Sequence, residues 1–275
     1  MTSTHTPSLP LGIPPLSGRF SFRLGATSYV VPADLLPNIE ALAGLVDDVE
    51  VVLFESEAFS NLPGEDVIER MAQIGQQHGM SFTIHFPLDV SLGDADEDER
   101  VRGVHQCLRI VELTRPLLPF GYVLHLMCPN EMASSTALRR RWQERCVDSV
   151  KHVLDSGAVA PGDICVENLS YPFEYAYPVV EMLNLSVCMD VGHVLMNGYD
   201  YHQHFQRYWE RTRVMHLHGL WEGADHCALT HLPKEILGQI LENAAASDTE
   251  RVLTMEVFGT DNFVASMGVM KGMLP

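Results

Sequence analysis

The sequence predicts an α/β chain that closes into a single (β/α)8 barrel of the TIM type. Eight short runs rich in Val, Ile, Leu and Met alternate with longer stretches of helical spacing, and such a series implies parallel strands joined by helical crossovers. The 275 residues suit one barrel of about 250 residues and can bury a core without cross-links. The apolar runs show little strict alternation, as expected of strands buried on both faces. An open doubly wound sheet is the alternative, but it normally carries a glycine-rich first turn. Here the first turn reads Gly25-Ala-Thr-Ser-Tyr-Val-Val-Pro32 and has no G-x-G-x-x-G.

Taken in chain order, residues 1–20 are rich in Pro, Ser and Thr and lack the apolar stretch of a signal peptide. They are expected to form a flexible tail ahead of one catalytic domain over 21–275. Strands are expected at 22–28, 49–55, 81–87, 121–127, 164–169, 185–191, 214–220 and 251–258, each an apolar run of strand length. Helices are expected at 35–45, 65–78, 96–117, 134–156, 172–183, 201–211 and 232–246, with a last one after Asp261. The acidic run from Gly93 to Glu99 opens the third helix. Acids there complement the helix dipole, so the run reads as a solvated helix start and not a cation site.

Acids outnumber bases 36 to 18, for a net charge of −18. Such a surface repels polyanions and disfavours nucleic acid as a partner, since that affinity needs clustered Lys and Arg. Six cysteines form no C-x-x-C pair, and three sit in apolar runs where a thiol behaves as a small hydrophobe. No disulfide framework is expected, which fits a cytoplasmic location. No apolar run is long enough for a membrane span. A homodimer is compatible with this composition.

The ends of the expected strands carry the chemistry. The second ends at Glu55, the third at His85, the fourth reads Leu124-His125 and the fifth Val166-Glu167-Asn168. The sixth ends in Asp190-Val-Gly-His193, the seventh contains His216 and His218, and the eighth reads Met255-Glu256. A barrel places its active site at this end, so closure gathers these groups at one mouth. Buried carboxylates repel one another and lose hydration, and a divalent cation offsets both costs. Mixed His, Asp and Glu donors suit zinc, with manganese as the alternative, at one to three ions per chain. The expected ligands are His85, His125, Glu167, Asp190, His193, His216 and Glu256, joined by Asp225 and His226 from the loop after the seventh strand. His216 is expected to lie deeper than His218. Glu167, Glu256 and Glu55 are the candidate catalytic carboxylates, and Ser28, Tyr29, Asn168 and Trp221 the candidate substrate contacts.

This set, from His85 through Glu256, resembles the xylose-isomerase-like barrel superfamily, which includes type IV apurinic endonucleases and sugar-phosphate isomerases and epimerases. The resemblance spans nearly the whole chain from about residue 20 and implies metal-ligand roles for the matching residues, with Glu167 bridging ions. In the endonucleases the loop after the seventh strand carries Asp-x-His; here Asp225 and His226 are adjacent. A narrower resemblance rests on Gly25–Asp34, Asp47–Glu55 and Ser60-Asn-Leu-Pro63, phrases similar to the cobamide-remodelling phosphodiesterase family CbiR. It implies a corrinoid substrate and hydrolysis of the phosphodiester in its nucleotide loop. Phe59, Phe86, Tyr171, Phe173, Tyr175, Tyr177 and Trp221 would then be available to pack on a macrocycle or a base. The competing expectation is a sugar isomerase or epimerase using Glu167 and Glu256 as an acid–base pair.

Overall fold

A computed structural model describes residues 9–56 and 59–274. The barrel strands are β1 (Arg23–Thr27), β2 (Asp48–Val52), β3 (Ser81–His85), β4 (Gly121–Leu124), β5 (Ile164–Glu167), β6 (Ser186–Asp190), β7 (Thr212–Leu217) and β10 (Val252–Met255). They pair in parallel in that order and β10 closes on β1. The helices are α1 (Leu35–Leu42), α2 (Glu65–His78), α3 (Glu97–Thr114), α4 (Thr136–Asp155), α5 (Tyr177–Leu183), α6 (Val191–Met196), α7 (Tyr201–Tyr208), α8 (Lys234–Ala245) and α9 (Thr260–Gly272). The acidic run starts α3 as expected, with Asp96 as its cap accepting from Asp98 N. None of the described helices is long and apolar enough to cross a membrane.

Alternation along each strand decides what faces the barrel interior. On β2, Val49 and Val51 join the large core beneath the helices, whereas Glu50 reaches across the lumen to His216 on β7. The lumen is layered. At its base Phe120, Val123, Cys165, Cys188, Val214 and Val252 form a separate apolar plug. Above it lies a polar tier of Glu50, Thr83, His216 and Thr254, all fully buried and linked by register, Glu50 to Thr83 and His216 to Thr254.

Three expectations are corrected. Most strands stop one to three residues short of the expected C-terminal bounds, so Glu55, His125, Asn168, His218 and Glu256 lie just beyond them. Residues 219–220, expected to end the seventh strand, and 221–227, expected as loop, instead form a small antiparallel hairpin of β8 (Gly219–Trp221) and β9 (Ala224–Cys227). Its turn residues Glu222 and Gly223 both have positive φ, the twist that suits a tight hairpin. Of the expected tail, 1–8 lie outside the described residues, but 9–20 includes a packed segment. Leu16 is buried and its N–H donates to Leu45 O, and Ser17 bonds Asp47.

The loop after β1 is clamped from below by Asn38 of α1. Its amide accepts from Val31 N and donates to the carbonyls of Val31, Ala33 and Asp34. Asn38→Leu keeps the branched shape but strands these backbone groups. It should lower stability by at least about 2 kcal/mol, read from urea unfolding.

Candidate metal centre

Glu167, the last residue of β5, sits at the middle of the mouth and is 1% exposed. Its two oxygens face different partners. Oε2 lies 2.8 Å from His125 Nε2 and 3.4 Å from His85 Nε2. Oε1 lies 3.4 Å from His193 Nδ1 and 3.6 Å from His216 Nδ1. The described residues form five donor sets, three of them built from the strand-end groups: His85, His125 and Glu167; Glu167, Asp190, His216 and Glu256; and the imidazoles of His193, His218 and His226; Cys188 joins Glu167 and His216 in a fourth, and Glu50 joins His85 and Glu256 in a fifth. Within each set the donor atoms lie within 4.8 Å of one another.

The central set fits a cation on its own evidence. His216 Nδ1 and Glu256 Oε2 are buried, 3.1 Å apart, and neither makes a hydrogen bond. Buried polar atoms seldom remain unsatisfied, and two that converge beside Glu167 and Asp190 mark a position for a positive charge. The donor types, imidazole and carboxylate without thiolate, suit an open divalent site. Burial pushes the Glu167 carboxyl up, but the charges of His125 and His216 outweigh it and hold it well below the usual carboxylate range. Burial likewise raises Asp190, yet the His216 and His218 imidazoles beside it bring it far down. The acids are therefore ionised, as ligands must be.

Neighbouring groups set which ring nitrogen faces the centre. His85 Nδ1 donates to Phe86 O at 2.7 Å, which leaves Nε2 for a cation. His193 Nδ1 pairs with Asn168 O at 3.2 Å, and His226 Nδ1 with Glu256 O at 3.2 Å. His218 differs. Its Nδ1 accepts from His226 N at 3.0 Å, so its Nε2 carries the proton and donates to Asp190 Oδ1 at 3.1 Å. Both nitrogens are engaged, which makes His218 a link between Asp190 and the hairpin. The ring lies flat on Gly192, where any Cβ would overlap it.

A model of the xylose isomerase-like TIM barrel family matches residues 40–270. The chain belongs to that family. No curated protein sequence matches it. Among solved structures, a D-tagatose 3-epimerase-like protein is 16% identical with a TM-score of 0.73, over 92% of this chain and 97% of that one. The 3-keto-D-glucoside 4-epimerase YcjR from E. coli is 14% identical with a TM-score of 0.66, over 92% and 99%. An IOLI protein with a bound zinc atom is 14% identical with a TM-score of 0.67, over 92% and 96%.

On this xylose isomerase-like barrel, seven expected ligands converge: His85, His125, Glu167, Asp190, His193, His216 and Glu256. His226 joins them, whereas Asp225 belongs to none of the donor sets and its carboxylate stands 3.9 Å from His226 Nε2. Glu55 is drawn away from the centre into an ion pair with Arg109 of α3. Asn168 spends its amide on the backbone of Asp190, donating to its carbonyl and accepting from its N–H. Ser28 is buried and accepts from Val52 N. Tyr29 lines a surface cleft with Phe59, Asn61 and Leu62, and Trp221 is exposed on the hairpin, its ring tilted against His231. Glu50, bonded to His216, was missed because it lies mid-strand. Its signal was the Asp48-Val-Glu50-Val alternation, which turns acids and apolar residues to opposite faces.

Two outcomes follow. Gly192→Ala should displace the His218 ring, cost about 1–3 kcal/mol and weaken ion uptake at the His193–His226 set; calorimetric melting and metal analysis check both. In the metal-free protein, burial lowers the His193 imidazole, but Glu167 and Asp190 more than compensate and raise it to about 10. His85 and His216 are raised as well. A raised imidazole is protonated near neutral pH, so loading must displace protons and affinity should fall as pH falls. Calorimetry in buffers of different ionisation enthalpy should show proton release; none would contradict this assignment.

Proposed function

We propose that the chain is a metal-dependent phosphodiesterase acting on the nucleotide-loop phosphodiester of a cobamide, releasing a cobinamide phosphate and an α-riboside. The observation that carries this reading is the sharing of Glu167 between the His85–His125 pair and the Asp190–His216–Glu256 group, with the His193 and His226 imidazoles beside them. Sugar epimerisation needs one ion and an acid–base pair; His85, His125, His193 and His226 exceed that need. Phosphodiester cleavage puts charge on both the attacking and leaving oxygens, which several adjacent cations serve.

In the proposed reaction water's oxygen bonds to phosphorus, the ester P–O bond to the riboside breaks, and the departing oxygen takes a proton. Bound cations would neutralise the phosphate and acidify water. Glu167, Asp190, His216 and Glu256 would hold the central ion, and His85 with His125 a second one shared through Glu167. His125 is the more exposed of that pair, at 12% against 3%, and so stands nearer an incoming phosphate.

The rim supports a large, partly apolar substrate. Phe59, Leu88, Met127, Trp221 and Phe258 follow barrel strands in the chain and are exposed, with Phe258 packed edge-on to His226, and exposed apolar groups on the loops of a barrel mouth favour apolar ligands. Phe86 and Phe173 are buried, and Tyr171 donates to Leu126 O, so these three aromatics serve the core. The likeness of the opening strands to the CbiR family points to a corrinoid. Zinc is the favoured ion, in keeping with the zinc-bound IOLI structure, with manganese second. Six free cysteines suit a cytoplasmic setting, and a homodimer is the assembly proposed. Epimerisation of a keto-sugar is the second reading, favoured by Glu167 and Glu256 lying in one donor set.

Incubation with adenosylcobalamin should yield a new phosphomonoester by mass, and chelator should stop it. Glu167→Gln should cut turnover by more than about 100-fold with an unchanged circular dichroism spectrum. Unreacted cobamide alongside C3-epimerisation of a keto-sugar would replace this reading with the second.

A further inference from the structure

We propose that Glu50 is a positioning residue that presents His216 to the central cation through Nδ1. This rests on the metal-centre reading but not on the choice of substrate. Glu50 lies mid-strand on β2 and is fully buried. Among the described residues its only ion-pair partner is His216, with Oε2 2.9 Å from Nε2. No Lys or Arg neutralises it, and an isolated carboxylate in a barrel lumen is strongly disfavoured.

The geometry gives that carboxylate a purpose. Imidazole has two nitrogens on opposite sides of the ring. Nε2 is taken by Glu50, which requires the proton there. Nδ1 then carries the lone pair, and it points at Glu256 Oε2, Glu167 Oε1 and Asp190 Oδ2, at 3.1, 3.6 and 3.7 Å. Carboxylate, imidazole and cation position thus form one line from the lumen to the mouth. A carboxylate behind a ligating imidazole fixes its tautomer and ring plane and raises its basicity. His85, His193 and His226 each rest a ring nitrogen on a backbone carbonyl, which is neutral. His216 is backed by a full negative charge, and it is the one imidazole of the four-residue set.

Glu50 also lies within reach of His85 and Glu256 donor atoms, so direct ligation is the rival role. Substitution separates the two. The amide oxygen of Glu50→Gln can still accept from Nε2–H but is a poor ligand; Glu50→Ala removes the contact. The metal-free full-length chain is titrated with cobalt(II), followed by visible absorption, with zinc stoichiometry measured separately. Positioning predicts that Glu50→Ala weakens the central ion about 10- to 100-fold and that Glu50→Gln stays clearly nearer wild type, while the ion of the His85–His125 set is retained. Should the alanine variant fail to fold, the isosteric glutamine variant decides through the same titration. Wild-type affinity in a folded alanine variant overturns the proposal, as does a glutamine variant as weak as full loss of the site. A role in folding alone would lower the melting temperature of the metal-free protein and leave affinity untouched, which also overturns it. A wild-type chain that takes up no ion would sink the metal centre itself, whereas failure on cobamides alone leaves this inference standing.

Discussion

Three acidic side chains buried around one barrel mouth compete for the same few counter-charges, and most of the local structure is a response to that crowding. Glu167, Asp190 and Glu256 sit on neighbouring or nearly neighbouring strands with almost no solvent to screen them. Surrounding imidazoles supply hydrogen-bond donors and, in the metal-free state, positive charge. That arrangement is stable enough to fold around but leaves His216 Nδ1 and Glu256 Oε2 unsatisfied. A protein that only needed a stable core would fill this space with packed apolar residues, since buried ion pairs rarely surpass them. The unsatisfied pair is therefore retained for something other than stability.

The barrel separates these demands by depth. The apolar plug of Val123, Val214, Val252 and their neighbours closes the base. The tier of Glu50, Thr83 and Thr254 comes next, and the ligands end the column. Strands of period two make this possible, because one face can become polar toward the mouth while the other stays apolar beneath the helices. On β7 the inward sequence is Val214, His216, then His218 just past the strand, and on β10 it is Val252, Thr254, then Glu256.

Much of this was legible in the sequence. The eightfold alternation of runs gave the barrel, and strand-end acids and histidines gave the mouth, because a closed parallel barrel leaves them nowhere else to gather. Glu50 escaped since attention to strand ends passes over a mid-strand acid, although Asp48-Val-Glu50-Val is its plain signature. His218 was left without a role because only the fold shows that both its nitrogens are occupied, and that Gly192 is the cradle for its ring. Helix α6 was hidden inside Asp190-Val-Gly-His193, which reads as a strand end until Asp190 is seen capping it by accepting from His193 N. Glu55 looked equivalent to the other strand-end acids; β2 ends three residues earlier, and Arg109 on α3 supplies a counter-charge that no spacing rule reveals.

Depth also separates what relatives share from what distinguishes them. At 14–16% identity the D-tagatose 3-epimerase-like, YcjR and IOLI structures share a fold with this chain, and a fold alone does not choose a reaction. The number of ions and the shape of the rim do. A single cation leaves room and charge for an enediolate chemistry on a small sugar, whose hydroxyls want a polar rim. In the proposed reading, several cations held around Glu167 would create a locally positive floor inside a chain of net charge −18, one that could hold a single phosphate while the outer surface repels polyanions. Exposed Phe59, Met127, Trp221 and Phe258 would be poor company for a bare sugar, but they suit a substrate whose bulk is apolar and whose reacting group is a single anionic diester.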